Sequence, residues 1–600
     1  MAHLHQIFTS FFPVSSLVME RVSSFNHNSL FVPRVINNVT GGGARMCSQT
    51  VVRRSGNYQP STWKYEFIQS LSSEFEGEIY VGLFNELKGE VRVIMNKIAN
   101  DDPLKQLEFI DILQRLGISY HFENEIKDML TMTYKNHCEN DDWKINNLYA
   151  TSLEFRLLRQ YGFNIQQDVF NHFFSNETKS FNVQLYEDLN GMLCLYEASF
   201  LSIEGENILE TAKHFTMEYL EKYMKSSTDE NEVAIVRHAL ELPLHWRMPR
   251  LETRWFIDIY ERKVDMNPIL LEFAKLDFNK VQFIHQQDLK YASRWWKSSG
   301  LGQKLSFARD RLIESFFWTV GIGFEPEFSY FRRSLTKINA LITIIDDVYD
   351  VYGSLDELEL FTNAVERWDV AAMEELPDYM KICFLALHNS INEMGFEALR
   401  DKGINVIQYL KKAWVDLCKS YMLEAKWYHT NYKPTLEEYL DNAWISISGT
   451  VLLVHTYVFV TSSTLENMES LKQHIDMIRW SSTILRLADD LGTSSDELER
   501  GDVPKSIQCY MNDTGASESN AREYIRHLID ETWKKLNKTE VENNYSIFPR
   551  VFVERAKNLA RMAQCMYQYG DGHGMGYQET KDRVMSLLIE PISIHCSYSE

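Results

Sequence analysis

The sequence has 600 residues, of which 44% are hydrophobic and 24% charged, an ordinary globular composition with enough length for two large domains. Acidic residues outnumber basic ones by 84 to 62, so the formal net charge is −22. Such an acidic surface argues against nucleic acid or an anionic membrane as a partner, but metal ions can still hold a small anion. No apolar run stands out as long enough for a transmembrane helix.

Residues 1–52 differ in composition from the rest of the chain. They contain a single acidic residue, Glu20, together with three arginines and many serines. N-terminal segments that are poor in acids, rich in serine and weakly basic are typical of organelle transit peptides. The composition therefore predicts a transit peptide over 1–52, and the alternative is a tail with no targeting role.

Beyond Trp63, apolar residues recur at helical intervals almost everywhere, as in the stretch from Pro103 to Leu130. Strand-like alternation is scarce, and only 13 prolines interrupt the chain. The sequence therefore predicts an all-α protein with an N-terminal helical domain over 53–265 and a C-terminal helical domain over 266–600. The stretch from Leu242 to Trp255 contains two prolines and is predicted to be a connection.

Polar side chains follow one face of a predicted helix between Lys337 and Tyr349. We call them the first polar row; its members, spaced by 4, 3 and 4 residues, are Asn339, Thr343, Asp346 and Asp350. Like charges one turn apart destabilise a helix unless a cation joins them, and oxygen ligands suit Mg²⁺ or Mn²⁺ better than zinc. The alternative is an acidic cluster that faces solvent at a helix end.

A second polar row repeats this arrangement, with spacings of 3, 4 and 4 residues. Its members are Arg486, Asp489, Thr493 and Glu497. An arginine on the same helix face as the acids favours a metal-bound polyphosphate, which needs both signs of charge. Gly492 lies within this helix at a cost in stability, which predicts that another part of the molecule approaches closely there.

Three further cations are candidate phosphate donors: Arg309 and Arg311 in the segment RDR, and Lys505 in GDVPKS. Each one alone is more simply explained as a surface salt-bridge residue. They gain weight because they accompany the two polar rows in one predicted domain.

These motifs together resemble those of the plant class I terpene synthases. DDVYD at 346–350 resembles the aspartate-rich motif of that family, DDLGTSSDE at 489–497 its second metal motif, and RDR its RxR motif. The resemblance implies three Mg²⁺ ions, or Mn²⁺, held by Asp346, Asp347, Asp350, Asp489, Thr493 and Glu497. It also implies substrate diphosphate contacts from Arg309, Arg311, Arg486 and Lys505, with Asp346, Asp350 and Asp489 binding the substrate through the metals.

The segment from Arg53 to Trp63 resembles the RR-x8-W signature of the monoterpene cyclase branch. The resemblance implies that Arg53 and Arg54 take part in isomerising geranyl diphosphate, and that their segment caps the protein as a strand. It also makes the predicted transit peptide a plastid one. The N-terminal domain has no DxDD motif, so class II cyclase chemistry is not expected.

The implied reaction ionises geranyl diphosphate and proceeds through linalyl diphosphate and the α-terpinyl cation to a cyclic monoterpene or alcohol, similar to limonene or α-terpineol. Trp318 matches the pocket tryptophan of the family, although a core role is the plain alternative. Asn339 is a candidate for holding a water molecule, or for a buried hydrogen-bond network. Tyr567 and His573 are candidate terminating bases, and the glycines at 570, 572 and 574 suggest a closing lid.

Several alternatives remain open. Acyclic monoterpene synthesis, as in linalool, ocimene or myrcene synthases, uses the same motifs, and a sesquiterpene synthase would act on farnesyl diphosphate. A chain-elongating prenyltransferase would carry two DDxxD motifs, whereas this chain has one. Outside the enzymes, a helical scaffold protein with solvent-facing acidic helices is possible. The sequence leaves open whether the protein is a monomer or a homodimer.

Overall fold

The computed structural model describes residues 53–594, except for 100–101, 137–142, 176, 462–464, 501, 544–547 and 574–577. The predicted transit peptide lies outside the described residues. After residue 51 the chain forms one compact unit. The all-α prediction is confirmed, since the described residues are mostly α-helical and their only strands are the antiparallel pair β1 (Phe174–Ser175) and β2 (Ser180–Phe181).

The described N-terminal half is built from short and medium helices. In chain order they are α1 (Tyr65–Ser70), α2 (Glu78–Ile98), α3 (Pro103–Arg115), α4 (Glu123–Asn136), α5 (Leu148–Gln160), α6 (Leu189–Ser199), α7 (Asn207–Ser226), α8 (Glu230–Glu241) and α9 (Pro249–Glu261).

The C-terminal half contains the longer helices. They are α10 (Pro268–Ser299), α11 (Leu301–Lys304), α12 (Leu312–Ile322), α13 (Ser329–Asp347), α14 (Leu355–Arg367), α15 (Asp378–Lys402), α16 (Ile407–Thr430), α17 (Leu436–Ser446), α18 (Gly449–Val460), α19 (Leu465–Gln473), α20 (Asp476–Arg500), α21 (Ser506–Thr514), α22 (Glu518–Asn543), α23 (Arg550–Tyr567) and α24 (Gln578–Val584). Two π-helical turns, Val348–Tyr352 and Met585–Ile589, extend α13 and α24.

The predicted domain boundary near residue 265 lies in the connection between α9 and α10. The prediction that Leu242 to Trp255 forms only a connection was wrong for its second part. Pro249 occupies the first turn of α9, where a proline has no hydrogen bond to lose and its fixed φ suits a helix start.

Five helices of the C-terminal half form a closed ring. Helix α12 packs on α13, α13 on α18, α18 on α20, α20 on α23, and α23 returns to α12. Each contributes fully buried apolar side chains, such as Phe316, Ile338, Leu453, Ile484 and Leu559. Burial of such side chains stabilises the ring by about 1.5–3 kcal/mol each before entropy is counted, and it places the polar rows of α13 and α20 inside it.

One described segment, Leu436–Val460, is long and apolar enough to cross a membrane, contrary to the impression from the sequence. In the structure it is two helices, because Ser448 adopts a left-handed conformation with φ of 66° between α17 and α18. The most apolar part of this segment is 72% buried inside the protein, as is usual for core helices.

Candidate active site

Both polar rows face one cavity of about 130 Å³ inside the helix ring. All eight of their side chains line it, together with Arg309 and Lys505. The helical period brings each row onto a single face, and the packing of α13 and α20 around α18 turns those faces toward the same space. The two acidic helix edges therefore confront each other across one cavity.

The first row ends in a π-helical turn, where the sequence predicts a regular helix. Helix α13 ends at Asp347, and Asp350 lies in the wider turn Val348–Tyr352. Burial raises the pKa of Asp350 well above its usual value, and the nearby Asp346 charge raises it further, while Lys505 opposes the shift. A carboxyl group in this position lacks a sufficient counter-charge from the protein itself.

The second row joins an arginine to its acids. One Arg486 guanidinium nitrogen lies 3.0 Å from Asp489 and 3.2 Å from Asp490, which is fully buried. Burial raises the pKa of Asp489 to about 8; Arg486 lowers it and Glu497 raises it. The Thr493 hydroxyl donates to the carbonyl oxygen of Asp489 at 3.0 Å.

A buried glutamate, Glu424 on α16, completes the acidic lining and was missed in the sequence. It accepts hydrogen bonds from Asn442 at 2.9 Å and from Ser446 at 2.5 Å. It lines the cavity near Lys505, whose pKa is raised by the charges of Glu497, Glu424 and Asp350 against the effect of burial. A single acid in the apolar helical stretch SYMLEAKW was the only available signal.

Asp347, predicted to bind metal, does not line the cavity. Its fully buried carboxylate accepts the backbone N–H of Arg309 at 2.7 Å and lies 3.0 Å from the Nε of that residue. Successive residues of a helix are rotated by about 100° about its axis. Asp346 therefore faces the cavity, while Asp347 faces the segment that contains Arg309. The structure therefore gives Asp347 a position that supports Arg309, whose Nη2 lies 2.5 Å from Asp346.

Arg311 is also placed away from the cavity. Its guanidinium donates to the carbonyl oxygens of Asp310 at 2.9 Å and Gln59 at 3.4 Å. Burial lowers its pKa, against the nearby charge of Glu314. Of the two arginines in RDR, the structure brings only Arg309 to the polar rows.

The cavity lining also includes aromatic and apolar side chains. Trp318 and Tyr567 line it with their ring centroids 6.1 Å apart, together with Ile342, Leu452 and Leu485. Asn339 heads the first row, and its amide donates to the Ser315 carbonyl at 3.4 Å. The cavity thus combines charged side chains with an aromatic and apolar surface.

The end of α23 and the segment after it line the cavity with Tyr567, Asp571 and His573. Burial lowers the pKa of His573 to about 3, so its imidazole is neutral at physiological pH. Asp571 was missed in the sequence, although its charge acts on Arg309, Asp489 and Tyr567. It lies outside both rows, so helical spacing held no signal for it.

The predicted close approach at Gly492 is present. A Cβ atom there would lie 2.9 Å from the carbonyl oxygen of Gly570 and 3.1 Å from the Cβ of Tyr567. A Cβ on Gly572 would meet the carbonyl oxygen of Met566 at 2.0 Å. Gly574 lies outside the described residues, and the predicted lid movement stays a prediction.

The two tandem arginines pair with two different segments and do not line the main cavity. Arg53 forms an ion pair with Glu357 at 2.8 Å, and Arg54 forms one with Asp502 at 2.8 Å. Arg54 also lines a neighbouring cavity of about 140 Å³ that shares Asp350, Glu424 and Lys505 with the main one. Residues 53–64 form neither helix nor strand, so the expectation of a strand was wrong, although the segment does lie over the site.

The oxygen ligands present fit a hard divalent cation. Among the described residues, no three histidine, cysteine or carboxylate side chains approach closely enough to hold a metal ion alone. Mg²⁺ ordinarily keeps several waters and shares phosphate oxygens, so it needs only one or two carboxylates from each row. The raised pKa values of Asp350 and Asp489 indicate that the protein itself supplies too little positive charge to balance these carboxylates.

We predict that Mg²⁺ stabilises this protein more at pH 8 than at pH 6. The pKa of Asp489 is raised to about 8, so without metal the folded protein loses stability as pH rises from about 4 towards 8, and the raised pKa of Asp350 acts in the same direction. Mg²⁺ would bind the deprotonated carboxylates and offset this loss. Thermal unfolding with Mg²⁺ and inorganic pyrophosphate measures the effect; for Asp489→Asn, we expect a weaker Mg²⁺ response and a flatter pH dependence. An equal rise in Tm at both pH values would contradict the prediction.

Two family profiles match the chain. "Terpene synthase, N-terminal domain" matches residues 62–240, and "Terpene synthase family, metal binding domain" matches residues 297–535. The second range contains both polar rows. The two ranges also agree with a division into two helical domains.

Curated relatives are similar over most of the chain. "Myrcene synthase, chloroplastic" from Quercus ilex is 60% identical over 549 residues, 91% of each chain. "(-)-alpha-terpineol synthase" from Vitis vinifera is 58% identical over 551 residues, 92% of each chain. Several relatives are named chloroplastic, which confirms the predicted plastid localisation.

Solved structures share the fold. A limonene synthase with 2-fluorolinalyl diphosphate matches with a TM-score of 0.87 and 46% identity, over 90% of this chain and 100% of that one. An isoprene synthase from grey poplar, Populus x canescens, in complex with three Mg²⁺ ions and dimethylallyl-S-thiolodiphosphate matches with a TM-score of 0.80 and 45% identity, over 89% and 99% of the two chains. Motifs, fold and relatives thus agree, and the chain belongs to the terpene synthase family of enzymes.

Proposed function

We propose that this enzyme is a monoterpene synthase that ionises geranyl diphosphate and releases inorganic diphosphate. The observation that carries the proposal is one cavity lined by two acidic rows, three cations and a set of aromatic and apolar side chains. A substrate with a diphosphate head and a short hydrocarbon tail matches both kinds of lining. The names of the myrcene and α-terpineol synthase relatives support a ten-carbon substrate.

The metal ligands in this proposal are Asp346 and Asp350 on the first row and Asp489, Thr493 and Glu497 on the second. Bound Mg²⁺ would supply Lewis-acid stabilisation of the diphosphate charge. Three Mg²⁺ ions are supported by the grey poplar isoprene synthase complex. Asp347 is proposed to support Arg309, because its carboxylate faces that guanidinium and not the cavity.

The enzyme's own cations complete the leaving-group site. The allylic C–O bond breaks with its electron pair leaving on the diphosphate, and donors arranged in advance stabilise the charge that develops there. Arg309, Arg486 and Lys505 line the cavity beside the acids and are placed for this role. Arg486 and Lys505 are buried and Arg309 is half-buried, so they act in a region of reduced dielectric where each hydrogen bond is stronger than in water.

The aromatic side chains would protect and stabilise the carbocation. Trp318 lines the cavity, and cation–π attraction at a desolvated site contributes about 2 kcal/mol. We propose Asn339 as the residue that orients a water for capture, and Tyr567 or His573 as the group that accepts a proton. The neutral imidazole of His573 is in the form that can accept one.

Cyclisation through linalyl diphosphate and the α-terpinyl cation is the finer part of the proposal. It is supported by the tandem arginines, which fasten the N-terminal segment to α14 and to the segment after α20. A second outcome, an acyclic product, is supported by the 60% identity to a myrcene synthase. The two outcomes differ in how the hydrocarbon tail folds within the cavity, which methylene-sized changes in shape can alter.

The test is incubation of the purified enzyme with geranyl, linalyl or farnesyl diphosphate, with Mg²⁺ and with chelator, followed by gas chromatography of the volatiles. We expect ten-carbon products from geranyl and linalyl diphosphates, only with Mg²⁺, and little turnover of farnesyl diphosphate. Replacing Arg53 and Arg54 by lysine should reduce turnover of geranyl diphosphate more than that of linalyl diphosphate. Equal losses on both would remove the isomerisation role, and a preference for farnesyl diphosphate would overturn the monoterpene assignment.

A further inference from the structure

Among the eight residues between Arg54 and Trp63, the stretch Ser55–Tyr58 has no role in the function proposed above. Asn57 adopts a left-handed conformation with φ of 50°, which asparagine tolerates better than most residues. Its backbone N–H donates to the Ser55 hydroxyl at 3.2 Å. Gly56 lies against the next ring, because a Cβ there would stand 2.5 Å from the Tyr58 ring carbons. The close approach of Gly56 leaves no room for a side chain beside the Tyr58 ring.

Tyr58 covers the one RDR arginine that reaches the cavity. The Arg309 guanidinium carbon lies 5.1 Å from the centroid of the Tyr58 ring, within the range of a cation–π contact. The Tyr58 hydroxyl also interacts with the carboxylate of Asp347, and burial raises the pKa of the hydroxyl, so it stays neutral. Arg309 is thus held by an aromatic face and a buried carboxylate on its outer side.

The cavity side of Arg309 is held differently. There it pairs with Asp346, which belongs to the first polar row and is partly exposed. A carboxylate that binds metal has less charge to offer a guanidinium, so this contact weakens when the site is loaded. Asp347 and Tyr58 lie outside the cavity lining and keep their contacts with Arg309 in either case.

We propose that Tyr58 is a positioning residue that keeps the Arg309 guanidinium directed at the diphosphate when Asp346 binds a metal ion. The inference rests on the proposed function for the identity of the diphosphate site. It gives Tyr58 of the N-terminal segment a specific role in substrate binding, distinct from the ion pairs of Arg53 and Arg54.

The test is calorimetric titration of the full-length enzyme with inorganic pyrophosphate and Mg²⁺. We expect Tyr58→Leu to weaken binding by about 3- to 30-fold, the range that corresponds to loss of a cation–π contact. Tyr58→Phe keeps the ring and should stay within about 3-fold of the unaltered enzyme. Gly56→Ala keeps Tyr58 but displaces its ring, and should weaken binding in the same direction as Tyr58→Leu.

Tyr65→Leu is the matched control. Tyr65 lies on α1, outside the cavity, and makes a cation–π contact with Lys297 at 3.7 Å. It should bind pyrophosphate as the unaltered enzyme does. In an Arg309→Gln background, Tyr58→Leu should add less than about 2-fold, since residues that act through one another are not additive. The same loss with and without Arg309, or unchanged binding in both Tyr58→Leu and Gly56→Ala, would overturn the inference.

Pyrophosphate binding does not depend on turnover, so the two proposals fail separately. If the unaltered enzyme binds pyrophosphate with the expected Tyr58 dependence but leaves geranyl diphosphate intact, the proposed substrate is wrong and the positioning role is supported. If it turns over geranyl diphosphate while the Tyr58 variants bind pyrophosphate normally, the positioning role is wrong.

Discussion

Replacing Asp346 by asparagine is expected to lower kcat/KM for geranyl diphosphate by about 100- to 10,000-fold, because a metal ligand contributes several kcal/mol to stabilising the leaving charge. Asp346 is the first carboxylate of the first polar row on the cavity and also pairs with Arg309. Asparagine keeps the shape of the side chain but removes its charge. Steady-state kinetics with geranyl diphosphate over a range of Mg²⁺ concentrations measure the effect.

The control for Asp346 is Asp378→Asn, which removes a carboxylate whose side chain is 100% exposed at the start of α15. It should leave kcat/KM and Tm unchanged, because exposed charges contribute little. Asp346→Asn should keep the helical circular dichroism signal, since its site is a cavity and not a packed core. Full activity in Asp346→Asn would refute the assignment of the first row to metal binding.

Replacing Arg486 by lysine is expected to lower kcat/KM by about 100- to 1,000-fold, comparable with loss of one fixed donor at a developing negative charge. Arg486 contacts Asp489 and Asp490 together, and an ammonium group cannot reproduce the planar fork of a guanidinium. Asp490 also accepts from Tyr439 at 3.0 Å and from the backbone of Ser506 at 3.0 Å. In Arg486→Lys, the buried Asp490 loses part of its hydrogen bonding, and the unfolding free energy should therefore fall by about 1–3 kcal/mol.

Arg479→Lys is the control on the same helix. Arg479 lies two turns before Arg486, is 40% exposed, and pairs with Asp441 at 3.2 Å outside the cavity. Kinetics and urea denaturation of the two variants separate the predicted effects from a general effect of shortening an arginine on α20. If Arg486→Lys matched Arg479→Lys in both measurements, Arg486 would have no role in diphosphate binding.

The positions of the three aspartates in the DDVYD motif were only partly predictable from the sequence. The motif placed all three among the metal-binding residues, whereas helical spacing put only Asp346 and Asp350 on one face. The structure agrees with the spacing: both line the cavity, while Asp347 pairs with Arg309. The rotation was calculable from the helix alone, but the partner that Asp347 meets comes from a segment before α12.

Residues missed by the sequence analysis share a different property. Glu424 and Asp571 each stand alone in local sequence, and they join the site because α16 and the segment after α23 pack beside it. Tyr58 likewise reaches Arg309 from the N-terminal segment. No spacing rule links such residues, since their proximity depends on how distant helices are placed.

By itself the sequence determined the all-α class, the two polar rows, the direction in which each row faces from its own helix, and the family resemblance, because helical periodicity and short motifs are local properties. The tertiary structure alone decided that the rows share one cavity, that Arg309 and not Arg311 reaches it, and that the N-terminal segment covers it. These outcomes depend on contacts between residues far apart in the chain, and their free energies come from burial and charge pairing that exist only after the helices have packed.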